Sequence, residues 1–439
     1  MGLTGSVDPF VKVLVYLIVI LVLAKLGGEL FERMKQPAVL GELIAGMLLG
    51  NLVLANPHWN FFEPLRAVPL TEHAAIGIDV LAKIGIILLL FEIGLESSVR
   101  DMKSVGLSSL LVATIGVILP FILGYFVSAI FVTKVPEGIL AISPNFSIHN
   151  IHMFIGATLC ATSVGITARV FQDMKKTQIV EARIVLGAAV IDDVLGLIIL
   201  ATISAIVSSA ETGVDLPFIQ IVKLTGIALG FLLGALIVGT LFVPKLMKVA
   251  SKFRTQGLML ISALLICFGL SALAGAAGLA SIVGAFAAGL VLEEIHFKEF
   301  ESSVGIKKLL QPITTVFVPV FFVHMGMQVH FESFVTGSVL GISGGLIVAA
   351  LVGKQVCGLV VREKAADKLT VGIGMIPRGE VGLVFASVGK GLGVIDNSIF
   401  SAVVMMVIVT TFATPLLLKW SIGRAEDRRA DGGREAPQN

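Results

Sequence analysis

The stretch Ile184-Val-Leu-Gly-Ala-Ala-Val-Ile-Asp-Asp-Val-Leu-Gly-Leu-Ile-Ile-Leu200 holds two adjacent aspartates, Asp192 and Asp193, in an otherwise apolar run. A carboxylate near the middle of a bilayer costs about 3 kcal/mol, and two side by side cost more. Such a pair is retained where a function needs it, and the usual function is an ion or proton pathway. The alternative, a structural salt bridge, would require a matching cation for each aspartate.

The composition of the whole chain is that of an integral membrane protein. Its 439 residues are 56% hydrophobic and 14% charged, whereas an ordinary soluble domain has about 25% charged residues. Segments of about 20 apolar residues recur along the chain, which excludes a barrel of short alternating strands. The net charge of +2 gives no reason to expect a nucleic-acid partner. Cys160, Cys267 and Cys357 lack metal-ligand or disulfide spacing, and no cofactor is predicted.

The apolar segments predict an all-α polytopic fold. A window of about 19 residues gives thirteen candidate membrane helices. Their centres lie near Ile20, Ala45, Ile87, Ile115, Ala161, Asp193, Leu232, Leu265, Phe286, Val318, Leu346, Val381 and Val407. We expect a single transporter domain over residues 1–422 and a short, disordered cytoplasmic tail over 423–439, because that tail is polar and glycine-rich. The boundary between the eighth and ninth helices is left open.

Basic residues predict the orientation of these helices. Lys and Arg concentrate on the loops after the odd-numbered helices and in the tail, as in the run Lys245, Lys248, Lys252 and Arg254. The opposite loops carry few basic residues. Cytoplasmic loops are enriched in Lys and Arg, so we expect a multi-pass protein of the cell inner (plasma) membrane. Its N-terminus should lie outside and its C-terminus in the cytoplasm.

Lys354 matches the aspartates in depth. It precedes Arg362 by eight residues and is therefore about 12 Å from the cytoplasmic end, while Asp192 follows Arg183 by nine, about 13 Å from the same face. An ion pair between Lys354 and either Asp192 or Asp193 is therefore geometrically reasonable. Neighbouring helical residues point about 100° apart, so one aspartate can pair with Lys354 while the other binds a cation. Coupled groups of this kind can exchange protons near neutral pH.

Two of the predicted helices are interrupted. The fifth reads Gly156-Ala-Thr-Leu-Cys-Ala-Thr-Ser-Val-Gly-Ile-Thr-Ala-Arg169, and the twelfth reads Gly372-Ile-Gly-Met-Ile-Pro-Arg-Gly-Glu-Val-Gly382. Broken helices expose half-helix ends and free carbonyls, from which carriers build ion sites. For the fifth helix, close packing of small residues is the alternative. Arg378 and Glu380 are expected to neutralise each other and the helix ends.

The spacing of the two interrupted helices predicts internal symmetry. They are seven helices apart, and an odd offset gives them opposite orientations. We therefore expect inverted repeats over about 10–208 and 257–420, joined by a linker helix over about 218–247. Glu92 lies about 12 Å deep, counted back from Arg100. A structural partner, a proton relay and a snorkelling side chain remain open for it, and the role of Arg169 is open too.

Several motifs resemble one transporter family. Gln36-Pro-Ala-Val-Leu-Gly-Glu-Leu-Ile-Ala-Gly-Met-Leu-Leu-Gly50, Leu88 to Glu96, Ala161 to Arg169 and Arg378-Gly-Glu380 resemble the monovalent cation:proton antiporter-2 family, over about residues 10 to 420. Asp192-Asp193 with Lys354 is similar to its electrogenic NapA-like branch. Potassium-efflux relatives typically lack the first aspartate and carry a cytoplasmic nucleotide-binding domain, and this chain does neither.

The resemblance implies a fold and a function. The fold would be NhaA/NapA-like, with two crossing discontinuous helices, in a homodimer whose core domain moves like an elevator. A sodium site would be formed by Asp193, Thr162 and Ser163, with Asp192 paired to Lys354. The chain would then exchange sodium, and also lithium, for protons, with membrane lipid as its surroundings. A potassium/proton antiporter of the same family and a sodium-coupled solute symporter are the alternatives.

Two other classes fit the sequence less well. A channel needs a continuous pore with a repeated selectivity filter, which one chain with one acidic site lacks. An intramembrane aspartyl protease needs two aspartates from different helices, whereas Asp192 and Asp193 are adjacent in one helix. We therefore expect a transporter and no enzymatic activity.

Overall fold

The structure, a computed structural model, describes residues 8–34, 36–56, 61–65, 72–96, 106–135, 140, 147–176, 178–210, 218–250, 257–277, 279–292, 305–332 and 337–434. In these ranges the regular secondary structure is helical, without a β-strand. Short 3-10 turns include Glu63–Leu65 and Gly358–Val360. The α-helices are α1 (Pro9–Arg33), α2 (Ala38–Gly50), α3 (Leu52–Ala55), α4 (His73–Glu96), α5 (Leu107–Phe131), α6 (Ile148–Thr158), α7 (Val164–Asp173), α8 (Val180–Ala210), α9 (Phe218–Ala250), α10 (Leu258–Ala276), α11 (Ser281–Val291), α12 (Ile306–Met327), α13 (Gly337–Cys357), α14 (Lys368–Gly374), α15 (Gly379–Gly391) and α16 (Asn397–Arg434).

The helices have the lengths of a multi-pass membrane protein. Among the described residues, α1, α4, α5, α8, α10, α12, α13 and α16 are each long and apolar enough to cross a membrane. Shorter apolar helices occur at α2 and α11 and within α9 and α15. The all-helical, multi-pass architecture predicted from the sequence is confirmed, and the count of thirteen spans stays a prediction.

The chain divides into two compact units, each assembled from both halves of the sequence. One comprises Met1–Ser98 with Val222–Glu332, and the other comprises Val99–Ile221 with Ser333–Asn439. The first unit contains α1–α4, most of α9, and α10–α12. The second contains α5–α8 and α13–α16. The transporter domain predicted over 1–422 thus contains two units, and each takes segments from both predicted repeats.

The first unit is held together by helices that touch through their backbones. A Cβ added at Gly46 of α2 would lie 2.1 Å from the carbonyl oxygen of Val323 in α12. A Cβ at Gly326 of α12 would in turn lie 2.1 Å from the carbonyl oxygen of Leu43 in α2. Apolar lipid gives helices little reason to associate, so small residues that allow close packing do this instead.

The second unit contains both predicted interruptions. Helix α6 ends at Thr158 and α7 begins at Val164, so the fifth predicted helix is broken between them. Helix α14 ends at Gly374 and α15 begins at Gly379, with Pro377 in the gap. Proline has no N–H to donate and restricts the residue before it, so it disfavours continuous helix there. Helices α5, α8 and α13 pack beside these breaks.

The C-terminal segment differs from the prediction. Helix α16 continues without interruption as far as Arg434. Residues 423–434 are therefore helical, and the disordered tail expected from residue 423 is wrong for them. Arg424 donates to Asp367 over 3.2 Å, and Lys176 pairs with Glu426. These two ion pairs hold the extension of α16 against the second unit, which composition alone does not show. Residues 435–439 lie outside the described part of the chain.

We expect Gly326→Ala to lower the thermal midpoint of the purified protein in detergent, because the new methyl group would collide with the α2 backbone. Overpacking of this kind costs about 1–3 kcal/mol. Gly234→Ala in α9, where a Cβ would meet nothing within 4 Å, is the matched control and should retain or raise the midpoint. Equal midpoints for the two variants would refute the backbone packing of α2 against α12.

Candidate functional site

Both aspartates lie in the middle of α8 and are inaccessible to solvent. Asp192 is 0% exposed and Asp193 is 4% exposed. Gly196, one turn beyond Asp192, faces the first break, because a Cβ there would lie 3.5 Å from the Cβ of Ala161. The same Cβ would lie 3.5 Å from the ring of Phe385 in α15. Helix α8 therefore packs against both broken helices one turn beyond the aspartates.

Lys354 of α13 pairs with the first of the two aspartates. Its Nζ donates to Asp192 Oδ1 over 2.8 Å, and both side chains are 0% exposed. The same Nζ donates to the carbonyl oxygen of Cys160 over 2.8 Å. Asp192 Oδ2 has no hydrogen-bond partner among the described residues. Desolvating two charges costs several kcal/mol per ion, and mutual attraction offsets this only in good geometry. The Lys354–Asp192 pair is therefore closely formed, but its burial has a high desolvation free energy.

The two breaks are hydrogen-bonded to each other. The backbone N–H of Ser163 donates to the carbonyl oxygen of Pro377 over 2.8 Å. The hydroxyl of Thr162 donates to the carbonyl oxygen of Met375 over 3.3 Å. The hydroxyl of Thr167 donates to the carbonyl oxygen of Gly374 over 2.7 Å. The last carbonyls of a helix have no partner within it. Here, hydroxyl groups of one broken helix supply donors to the carbonyl end of the other.

Two buried, positively charged side chains donate hydrogen bonds to the carbonyls of the first break. Arg378, fully buried, donates from Nη1 to the carbonyl oxygen of Ala161 over 2.7 Å. Lys354 binds the preceding carbonyl, that of Cys160. Both carbonyls follow the C-terminal end of α6, where the helix dipole is negative and a cation is stabilised. Arg378 thus lies where a charge-compensating role was expected. The side chain of Glu380 lies outside what the structure describes.

The other predicted cation ligands lie at the same junction. Thr162 is 1% exposed and Ser163 is 0% exposed. Gly379 begins α15 beside Ser163, since a Cβ there would lie 2.5 Å from Ser163 Oγ. The Thr162 hydroxyl donates its hydrogen to Met375, which leaves its oxygen lone pairs available to a cation. Hydroxyl and carbonyl oxygens therefore lie together at the breaks, and a hard cation such as sodium favours such oxygen ligands.

Some contributors to the site escaped prediction from sequence. Cys160 acts through its backbone carbonyl, which no side-chain pattern reveals. In the sequence, Thr167 is one residue of a small, polar stretch, yet it caps the end of α14. Glu92, whose role the sequence leaves open, belongs to the first unit, whereas both aspartates belong to the second. The side chain of Arg169 lies outside the described residues.

Comparison with known proteins places the chain in a family. Residues 18–421 match the family model described as sodium/hydrogen exchanger, transmembrane. The chain belongs to this family. The predicted resemblance to cation:proton antiporters is thereby confirmed.

Three relatives that the chain matches over nearly their full lengths are named as antiporters. The chain is 36% identical to the high-affinity Na(+)/H(+) antiporter NhaS3 of Synechocystis sp., covering 93% of this chain and 89% of that protein. It is 34% identical to the Na(+)/H(+)-K(+) antiporter GerN of Bacillus cereus, with coverage of 93% and 96%. It is 30% identical to a Na(+)/H(+) antiporter of Enterococcus hirae, with coverage of 92% and 96%.

A solved structure shares the fold. The sodium proton antiporter MjNhaP1 from Methanocaldococcus jannaschii superposes with a TM-score of 0.65 at 17% sequence identity. The match covers 95% of this chain and 99% of that one. At this identity the likeness establishes the fold of the chain alone.

The ion pair predicts a non-additive effect on stability. Asp192→Asn should lower the thermal midpoint in detergent, by about 3 kcal/mol in stability, because it leaves a buried ammonium without its carboxylate. The double variant Asp192→Asn with Lys354→Gln should recover much of this loss, since neither group is then charged. The measurement is a double-mutant cycle of thermal midpoints. If the double variant loses the sum of the two single losses, the pair is not energetically coupled.

Proposed function

We propose that this chain is a secondary active antiporter that exchanges sodium for protons across the inner membrane. The observation that carries the proposal is the fully buried Lys354–Asp192 pair at the junction of two broken helices. Ionisable groups at such depth mark ion and proton pathways. The family and the names of the relatives support sodium as the exchanged cation.

In the proposed mechanism, sodium and protons compete for the carboxylates of Asp192 and Asp193. Asp193 is the main anionic ligand for sodium, and the oxygens of Thr162 and Ser163 complete its shell. Sodium also competes with Lys354 for the Asp192 carboxylate, and the ion pair opens. The Lys354 ammonium then releases a proton and becomes a neutral amine, which is favoured for an unpaired, buried lysine. Return of one proton to Lys354 and of a second to a carboxyl group restores the pair and expels sodium.

This scheme is electrogenic. One proton leaves Lys354 and a second leaves a carboxyl group, so two protons are exchanged for one sodium and one net charge crosses the membrane. Such a charge couples transport to the membrane potential at about 2.3 kcal/mol per 100 mV. In the alternative scheme, Lys354 only balances Asp192 and keeps its proton, and the aspartates carry the exchanged protons.

The finer architecture belongs to the same proposal. Thirteen spans with an outside N-terminus and a cytoplasmic C-terminus would arrange the chain as inverted repeats of the NapA-like type. One of the two compact units would move like an elevator, and two copies would form a homodimer in lipid. The second unit is the candidate for the mobile part because it contains the ion pair and both breaks.

Potassium is the alternative to sodium as the exchanged cation. The relative GerN, 34% identical, is named as a Na(+)/H(+)-K(+) antiporter. The presence of both aspartates favours sodium as the exchanged cation, with lithium as a further substrate. A potassium-only response in vesicles would support the alternative.

Exchange should appear directly in proteoliposomes. With an acid lumen, added sodium should alkalinise the interior, as reported by a pH-sensitive dye, and lithium should do the same. Asp193→Asn should abolish the signal because the main anionic ligand is lost, whereas Asp192→Asn should leave weak residual exchange. Exchange at the wild-type rate in Asp193→Asn would remove Asp193 from the site.

The charge moved per cycle tests the role of Lys354. On a solid-supported membrane, a sodium jump should produce a current in the wild-type protein. Lys354→Gln should lose most of that current, because the proton assigned to the lysine no longer moves. A current of unchanged size in Lys354→Gln would mean that Lys354 carries no proton and that the aspartates carry both.

A further inference from the structure

The surroundings of Lys354 include a feature of α5 outside the cation site. A Cβ added at Gly116 would lie 3.3 Å from Lys354 Nζ and 3.5 Å from Lys354 Cδ. The lysine side chain therefore lies directly on the α5 backbone at this position. Any larger residue at 116 would press on the ammonium.

One turn further along α5, Pro120 lies inside the helix. Proline has no backbone N–H, so the regular helical donor to the carbonyl oxygen four residues earlier is missing. That carbonyl belongs to Gly116. The residue that contacts the Lys354 ammonium thus also carries a carbonyl oxygen deprived of its helical donor.

Pro120 also contacts the residue that precedes Lys354. A Cβ at Gly353 would lie 2.9 Å from Pro120 Cγ and 3.0 Å from Pro120 Cα. The backbone of α13 therefore lies against the proline ring. Because Lys354 is the next residue, this contact determines where its side chain begins relative to α5.

The hydrogen bonds of the ammonium complete the argument. A lysine ammonium has three N–H donors, and two of them bind Asp192 Oδ1 and the carbonyl oxygen of Cys160. When a cation takes over Asp192, the ammonium loses one acceptor. The Gly116 carbonyl lacks its helical donor and belongs to a residue that packs against the lysine, so it would offer a replacement and lower the cost of opening the ion pair.

We infer that Gly116 and Pro120 are positioning residues that form a seat for the Lys354 side chain when the Lys354–Asp192 pair opens, and that this seat holds the ammonium until it releases its proton. Gly116 supplies the space and the acceptor, and Pro120 keeps that acceptor available. The inference rests on the proposed function, since the seat matters where a cation competes for Asp192. The seat would set the apparent affinity for sodium without contacting it.

Pro120→Ala tests the inference, because alanine restores an N–H that can bind the Gly116 carbonyl. We expect the apparent KM for sodium in proteoliposomes to rise about tenfold, as for loss of one hydrogen bond to a charged group, with a smaller change in kcat. Gly116→Ala should raise KM as well, because its methyl group fills the seat. The matched controls are Pro312→Ala, an exposed helix proline of the first unit, and Gly344→Ala, which faces open space on α13. Both controls should retain the wild-type KM.

A second measurement separates positioning from general damage. In a Lys354→Gln background, Pro120→Ala and Gly116→Ala should have no further effect on sodium binding, measured as the sodium-induced rise in thermal midpoint. This readout requires no transport, so it serves even if Lys354→Gln is inactive. The seat is refuted if KM stays within twofold of wild type in both variants, or if their effects persist without Lys354. If wild-type protein binds sodium but does not exchange it, the proposed function fails while the binding cycle still tests the seat. If wild-type protein shows no sodium binding, both proposals fall.

Discussion

The ion pair between Lys354 and Asp192 is the interaction on which the rest of the second unit depends. Two opposite charges at 2.8 Å with no exposed surface are stable only while each keeps its partners, since a lone buried charge is far more costly than the pair. The pair ties α13 to α8, and through the carbonyl of Cys160 it also ties both to the first break. Any group that competes for Asp192 therefore loosens three elements at once.

The broken helices make this competition possible without exposing backbone to lipid. In a bilayer every unpaired N–H or C=O costs several kcal/mol, so non-helical backbone is tolerated where protein groups satisfy it. Here, each break provides the partners of the other, as in the bonds from Ser163 to Pro377 and from Arg378 to Ala161. Oxygen lone pairs that remain at the breaks, such as those of the Thr162 hydroxyl, are those a hard cation can use. The cost of interrupting two helices is thus offset where the ion site forms.

Much of this arrangement could be predicted from the sequence, and the exceptions have physical causes. The depth of Lys354 and the aspartates follows from residue counts along helices, because the rise per residue is constant. The choice of Asp192 over Asp193 does not, because it depends on how α8 is rotated against its neighbours. Pro377 and the small residues predicted the breaks, but not the bonds between them, which join residues more than two hundred positions apart. The helical extension to Arg434 was missed because its anchors at Asp367 and Lys176 are tertiary contacts.

Counting protons tests directly whether cation binding opens the Lys354–Asp192 pair and releases a proton from the lysine. Sodium chloride is added to detergent-solubilised protein in lightly buffered solution, with choline chloride as the control, and the pH change is converted to protons per chain. We predict proton release on sodium addition in the wild-type protein and a smaller release in Lys354→Gln. Equal release from both proteins, or none from either, would contradict it.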